Sequence, residues 1–191
     1  MLYNRKKELL KSGMIIAIIL LLAVVSTYYI YYKFNKERTV DYSSKSLDVI
    51  YHEKTGPAVT ITKVTPVTDA VGLTSMSYNF TVKNNLTEPV KFKIKLVDDL
   101  EAIVEGNCQE YLIDKQFIRV AIKKEKEDAK IYNLSDLDSD TLATEKIKAL
   151  DEKEYSVRVW TNNETTLPNG SNLHYHGLIQ VVENDNSLAA K

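Results

Sequence analysis

The chain has 191 residues but only one cysteine, one tryptophan, four prolines and six glycines. A single cysteine excludes an intrachain disulfide framework and any Cys-rich zinc site. So little Pro and Gly excludes collagen-like and low-complexity architectures, and 44% apolar against 27% charged residues excludes a disordered chain. Neither sign of charge dominates, with 25 basic and 26 acidic side chains. A nucleic-acid partner, which needs a concentrated basic surface, is therefore not expected. The chain also lacks H-E-x-x-H, G-x-S-x-G, S-x-x-K and the phosphate-binding G-x-x-x-x-G-K-[ST] loop. An enzyme is not expected, nor is a cofactor. The length bounds the chain to one domain with an appendage.

What is present is unevenly spread. The 21 residues from Ser12 to Tyr32 carry no charge. As a helix they would span roughly 30 Å, the hydrocarbon thickness of a bilayer. No polar face interrupts the Ile, Leu and Val residues, so a soluble amphipathic helix is excluded. Tyr28, Tyr29, Tyr31 and Tyr32 gather at one end, where amphipathic rings favour the membrane interface, and Lys33 and Lys36 close the segment. Residues 13–32 are accordingly expected to form one N-terminal transmembrane helix, with the lipid bilayer as partner. Val24-Val25-Ser26 offers small residues for a signal-peptidase cut, but the apolar run continues through Tyr32, longer than a usual signal sequence. A retained signal-anchor is the expectation, and a cleaved, secreted product the alternative.

Arg5, Lys6, Lys7 and Lys11 precede the span, and residues 33–191 carry 21 basic and 25 acidic side chains. Lys33, Lys36, Arg38 and Lys45 follow the span, so the positive-inside count is nearly tied, but the N-side charges are denser. A cationic tail of residues 1–12 held in the cytoplasm, with the acidic remainder outside the cell membrane, is the expectation.

Residues 33–54 form a polar spacer with a possible short strand at Leu47–Tyr51, and 185–191 a polar C-terminal tail. Between them, 55–184 alternate with period two. Val90, Phe92, Ile94 and Leu96 face away from Lys91, Lys93 and Lys95. Tyr78, Phe80 and Val82, then Ile118, Val120 and Ile122, then Tyr155, Val157 and Val159, then Tyr175, Gly177, Ile179 and Val181 repeat the pattern. Turn signals at Lys83-Asn84-Asn85, Glu105-Gly106-Asn107 and Leu167-Pro168-Asn169-Gly170 separate the strands. Seven to nine such strands predict an all-β fold, an antiparallel immunoglobulin-like or jelly-roll β-sandwich. The stretch from Asp136 to Leu150 fits a strand or a short helix.

The order of segments resembles the TasA/camelysin-like membrane-associated β-sandwich proteins of Gram-positive bacteria. The resemblance covers roughly residues 13–183. It rests on the aromatic end of the apolar segment (STYYIYYKF, 26–34), YNFTVKN (78–84), LIDKQFIRVAIKK (112–124), IYNLSDL (131–137), YSVRVWTNNE (155–164), and LPNG before GLIQVVE. It implies an extracytoplasmic jelly-roll or immunoglobulin-like module, some members of which assemble into matrix fibres.

Candidate chemistry is sparse. His174 and His176 flank Tyr175 on one strand face, and imidazoles at i and i+2 can share a metal. A third ligand, from His52 or a carboxylate, is not placed by the sequence, so two histidines on a wet sheet face are expected. Asp136, Asp138 and Asp140 open like a calcium loop, but Thr141 stands where the loop needs Gly and Ile147 where it needs Glu. They are read as a solvated turn. Cys108 has no histidine beside it in sequence and is expected to be a packed thiol, or an intermolecular disulfide partner if exposed. Asp98, Asp99 and Glu101 read as an acidic turn. Five N-x-[ST] sequons, at Asn79, Asn85, Asn133, Asn163 and Asn169, matter only in a eukaryotic secretory pathway. Trp160 and Tyr155 are expected in the core.

The expected function is structural or protein-binding, through a protein partner or self-association at the cell surface, with Leu47–Tyr51 apolar enough to be donated to a sheet edge. The alternatives are a secreted matrix or fibre subunit and a metal-dependent hydrolase using His174 and His176.

Overall fold

A computed structural model of the chain describes Leu21, residues 24–27 and residues 46–184. Leu21 and 24–27 are helical. The rest of the expected span 13–32 lies outside the described residues, as do the tails 1–12 and 185–191. Among the described residues no helix is long and apolar enough to cross a membrane.

Alternation becomes strand wherever one face finds a second sheet to cover it. Among the described residues ten strands form: β1 (Leu47–Tyr51), β2 (Ala58–Ile61), β3 (Pro66–Val67), β4 (Tyr78–Asn84), β5 (Val90–Asp98), β6 (Ile118–Lys124), β7 (Lys130–Asn133), β8 (Thr141–Ile147), β9 (Glu152–Asn162) and β10 (Tyr175–Glu183). They make two sheets, one in the order β1-β4-β9-β6-β7 and one in the order β2-β10-β5-β8. Every pairing is antiparallel except the short one between β3 and β9. Between Asp136 and Leu150 the chain makes a 3₁₀ turn at Asp138–Asp140 and then β8, so the strand period prevails there.

The two sheets face each other across one apolar core. Phe92, Ile94 and Leu96 of β5 and Ile179 and Val181 of β10 meet Phe80 and Val82 of β4, Ile118, Val120 and Ile122 of β6 and Val157 of β9, all buried. Aromatic rings bridge the layers. Phe92 meets Tyr155 edge-on at 6.2 Å, and Tyr155 stacks on Phe80 at 5.5 Å. Two tyrosines also tie the sheets by hydrogen bonds. The Tyr51 hydroxyl donates to the Ile179 carbonyl at 2.8 Å, and the Tyr78 hydroxyl accepts from the Thr60 N–H at 3.3 Å.

Leu47 and Tyr51 are both buried in this core, so β1 is the first strand of the folded unit and already pairs with β4 of its own chain. Trp160 is buried as expected, but on the outer face of its sheet rather than between the layers. The helical turn Asp69–Gly72 covers it, and a Cβ at Gly72 would fall on its ring, which explains glycine there. Arg119 of β6 holds the turn down with Nε and Nη2 on the Asp69 carboxylate at 3.3 and 3.2 Å, and its Nη1 donates to Asn133.

The Tyr155 hydroxyl is buried without a hydrogen-bond partner. Burial, with Glu145, Glu125 and Glu127 nearby, raises its pKa well above the usual phenol value. A buried hydroxyl that bonds to nothing costs stability. Tyr155→Phe, which keeps the ring stack, is therefore expected to raise the unfolding free energy by about 1 kcal/mol. A drop in the urea midpoint of the variant would contradict an unsatisfied hydroxyl.

Candidate functional site: a cysteine and two histidines at the start of strand β10

The register of β5 against β10 sets Asp98 opposite Gly177, and the Asp99 N–H then donates to the His176 carbonyl at 3.0 Å. The chain turns at once into a short helix, Leu100–Glu105, whose first turn is capped by the Asp99 side chain accepting from the Ala102 N–H. At its end the Cys108 N–H donates back to the Ile103 carbonyl, folding the thiol inward. Gly106 makes room for it, since a Cβ at that position would lie 2.8 Å from the Cys108 sulfur. Beyond the 3₁₀ turn Gln109–Tyr111 the chain runs beside His174. The His174 N–H donates to the Tyr111 carbonyl at 2.6 Å and the Ile113 N–H to the His174 carbonyl at 2.7 Å.

This loop brings Cys108 to both histidines. One ligand atom from each of Cys108, His174 and His176 lies within 4.8 Å of the others. The two imidazoles are nearly parallel, 13° apart, with centroids at 5.9 Å, as side chains on one face of a strand should be. Cys108 is buried, 8% exposed, while His174 and His176 are half-buried. The thiol lies 3.4 Å from the Gly106 carbonyl, a weak hydrogen bond. The Nε2 atom of His176 is buried with no hydrogen-bond partner. Burial lowers the pKa of His176, the neighbouring imidazole of His174 adds to this, and Asp99 opposes it, so the neutral ring is favoured.

No protein-family model matches the chain, and neither does any curated protein or solved structure.

The other candidate residues are spoken for elsewhere. His52 directly follows β1, its Nε2 2.9 Å from the Thr81 hydroxyl, and takes no part in the His174–His176 cluster. Asp136 accepts from Asn133 and Ser135, which lower its pKa, while Asp138 accepts from the Ser139 hydroxyl. Asp140 shares the Lys115 ammonium with Asp98, at 3.4 and 2.9 Å. Burial alone would lower the Lys115 pKa, but its bonds to those two carboxylates raise it. Among the described residues these three aspartates do not gather as a metal-binding group. A buried Cys108 is likewise not presented for an intermolecular disulfide.

On the outer face of the first sheet lies a cleft of about 670 Å³, lined among others by His52, Asn79, Lys123, Glu154 and Arg158. Its lining mixes both signs of charge.

Proposed function

We propose that the chain is a single-pass membrane protein that presents its β-sandwich outside the cell membrane as a structural or protein-binding module. The observation that carries this reading is the uncharged stretch from Ser12 to Tyr32, ended by four tyrosines and then lysines, ahead of a separate β unit. The dense basic cluster Arg5, Lys6, Lys7 and Lys11 supports an N-terminus inside and a domain outside. The sandwich is of the immunoglobulin-like or jelly-roll kind. In support, β6 and β7 are the one pair of consecutive strands hydrogen-bonded to each other among the described residues, and most connections cross between the sheets. Partner contact falls on the mixed-charge cleft of the first sheet, a surface suited to a protein rather than to a polyanion.

The test follows a C-terminal epitope on intact cells expressing the full chain. Fractionation with membranes and loss of the epitope to external protease is the expected result. A protected epitope would place the sandwich in the cytoplasm and overturn the reading. Release of a shortened chain into the medium would establish the secreted matrix subunit instead.

A further inference from the structure

We propose that Cys108, His174 and His176 form a zinc-binding site. A thiolate and two imidazoles are a donor set that zinc takes, leaving the fourth tetrahedral position open to solvent or a ligand. With Zn–S of about 2.3 Å and Zn–N of about 2.0 Å, tetrahedral ligand atoms stand about 3.3–3.5 Å apart. The observed group lies within 4.8 Å before any metal draws it in, so side-chain rotations of about 1 Å close the site without moving the sheet.

Three further features point the same way. The backbone is fixed at each ligand: Cys108 by the Ile103 carbonyl, His174 by Tyr111 and Ile113, His176 by the Asp99 N–H. The buried Nε2 of His176 bonds to nothing, an arrangement that costs stability unless something occupies it. And the two imidazoles are half-buried while the sulfur is buried, so an ion can enter past the rings and reach the thiolate last. Gly106 is what lets the sulfur stand this close, which ties a loop residue with no side chain to the ligand set. The site does not depend on the side of the membrane on which the domain resides.

The experiment titrates the full-length chain, without an affinity tag and solubilised in detergent, with zinc in competition against a chromophoric chelator. One zinc per chain is expected, with Cys108→Ser and His174→Ala each weakening it by about tenfold or more. Cobalt supplied in place of zinc should give visible bands of a tetrahedral ion and a near-ultraviolet thiolate-to-cobalt band. That spectrum is read on the unaltered chain, so it holds even if a variant fails to fold. Absence of the thiolate band, or zinc affinity unchanged in Cys108→Ser, would each overturn the assignment.

Discussion

Replacing Phe92 with alanine is expected to cost the sandwich about 3–5 kcal/mol, the usual price of deleting a fully buried ring. Phe92 is 0% exposed and stands near the start of β5, whose neighbours β10 and β8 hold it on both sides. Its ring abuts Tyr155 of the opposite sheet, Tyr155 stacks on Phe80, and Phe80 meets Tyr51 at 5.9 Å. The truncation thus removes the end ring, the one contributed by the second sheet, of a four-ring series running from β5 to the edge strand β1. A domain of this size is stable by only about 5–15 kcal/mol, so the loss is a large fraction of the total. Chemical denaturation of the variant beside Phe92→Leu, which refills most of the volume and should cost less, measures it. Equal midpoints for the alanine variant and the parent would mean that the layers collapse onto the gap.

The second large effect is expected at Asn84, whose side chain is a clamp between two loops. It is 0% exposed. Its Nδ2 donates to the carbonyls of Glu88 and Lys148 at 2.7 and 2.8 Å, and its Oδ1 accepts from the Leu86 N–H at 2.9 Å. This amide joins the loop after β4 to the loop after β8, alongside the bond from the Leu150 N–H to the Leu86 carbonyl at 3.0 Å. Asn84→Ala removes three hydrogen bonds and is expected to cost about 2–3 kcal/mol. Asn84→Asp should cost more, about 3–4 kcal/mol at neutral pH, because a carboxylate has nothing to donate and faces two carbonyl oxygens. The acid form can donate once, so folding would raise the pKa of the new carboxyl above its unfolded value of about 4. The deficit of the variant then grows as pH rises between those two values and shrinks as pH falls. A deficit independent of pH would remove the carbonyl clash as its cause.

Strand content was legible because a half-buried strand advertises its own face. Val90, Phe92, Ile94 and Leu96 read as one side in sequence, and the last three are buried while Lys91 is exposed. Pairing was not legible, since period two is the same whichever neighbour a strand has. That is why Trp160 read as an ordinary core aromatic although the turn Asp69–Gly72, nearly ninety positions earlier, is what buries it. It is also why Cys108 read as solitary. Its histidines lie beyond four intervening strands, and only the register of β5 on β10, with the helix that follows Asp99, returns the thiol to them. The one local hint was Glu105-Gly106-Asn107, a turn signal directly before the cysteine.

The order of the strands in the sheets has a consequence for biosynthesis. β9 lies between β4 and β6 in one sheet, and β10 lies between β2 and β5 in the other. Both are the last strands to be made. A nascent chain that has emerged as far as Ile147 can pair β1 with β4, β6 with β7 and β5 with β8, yet these fragments have nothing to join them. Neither layer can close until the final stretch of polypeptide has cleared the ribosome or the export channel. Any message truncated before β9 thereby yields a product with no middle to either sheet.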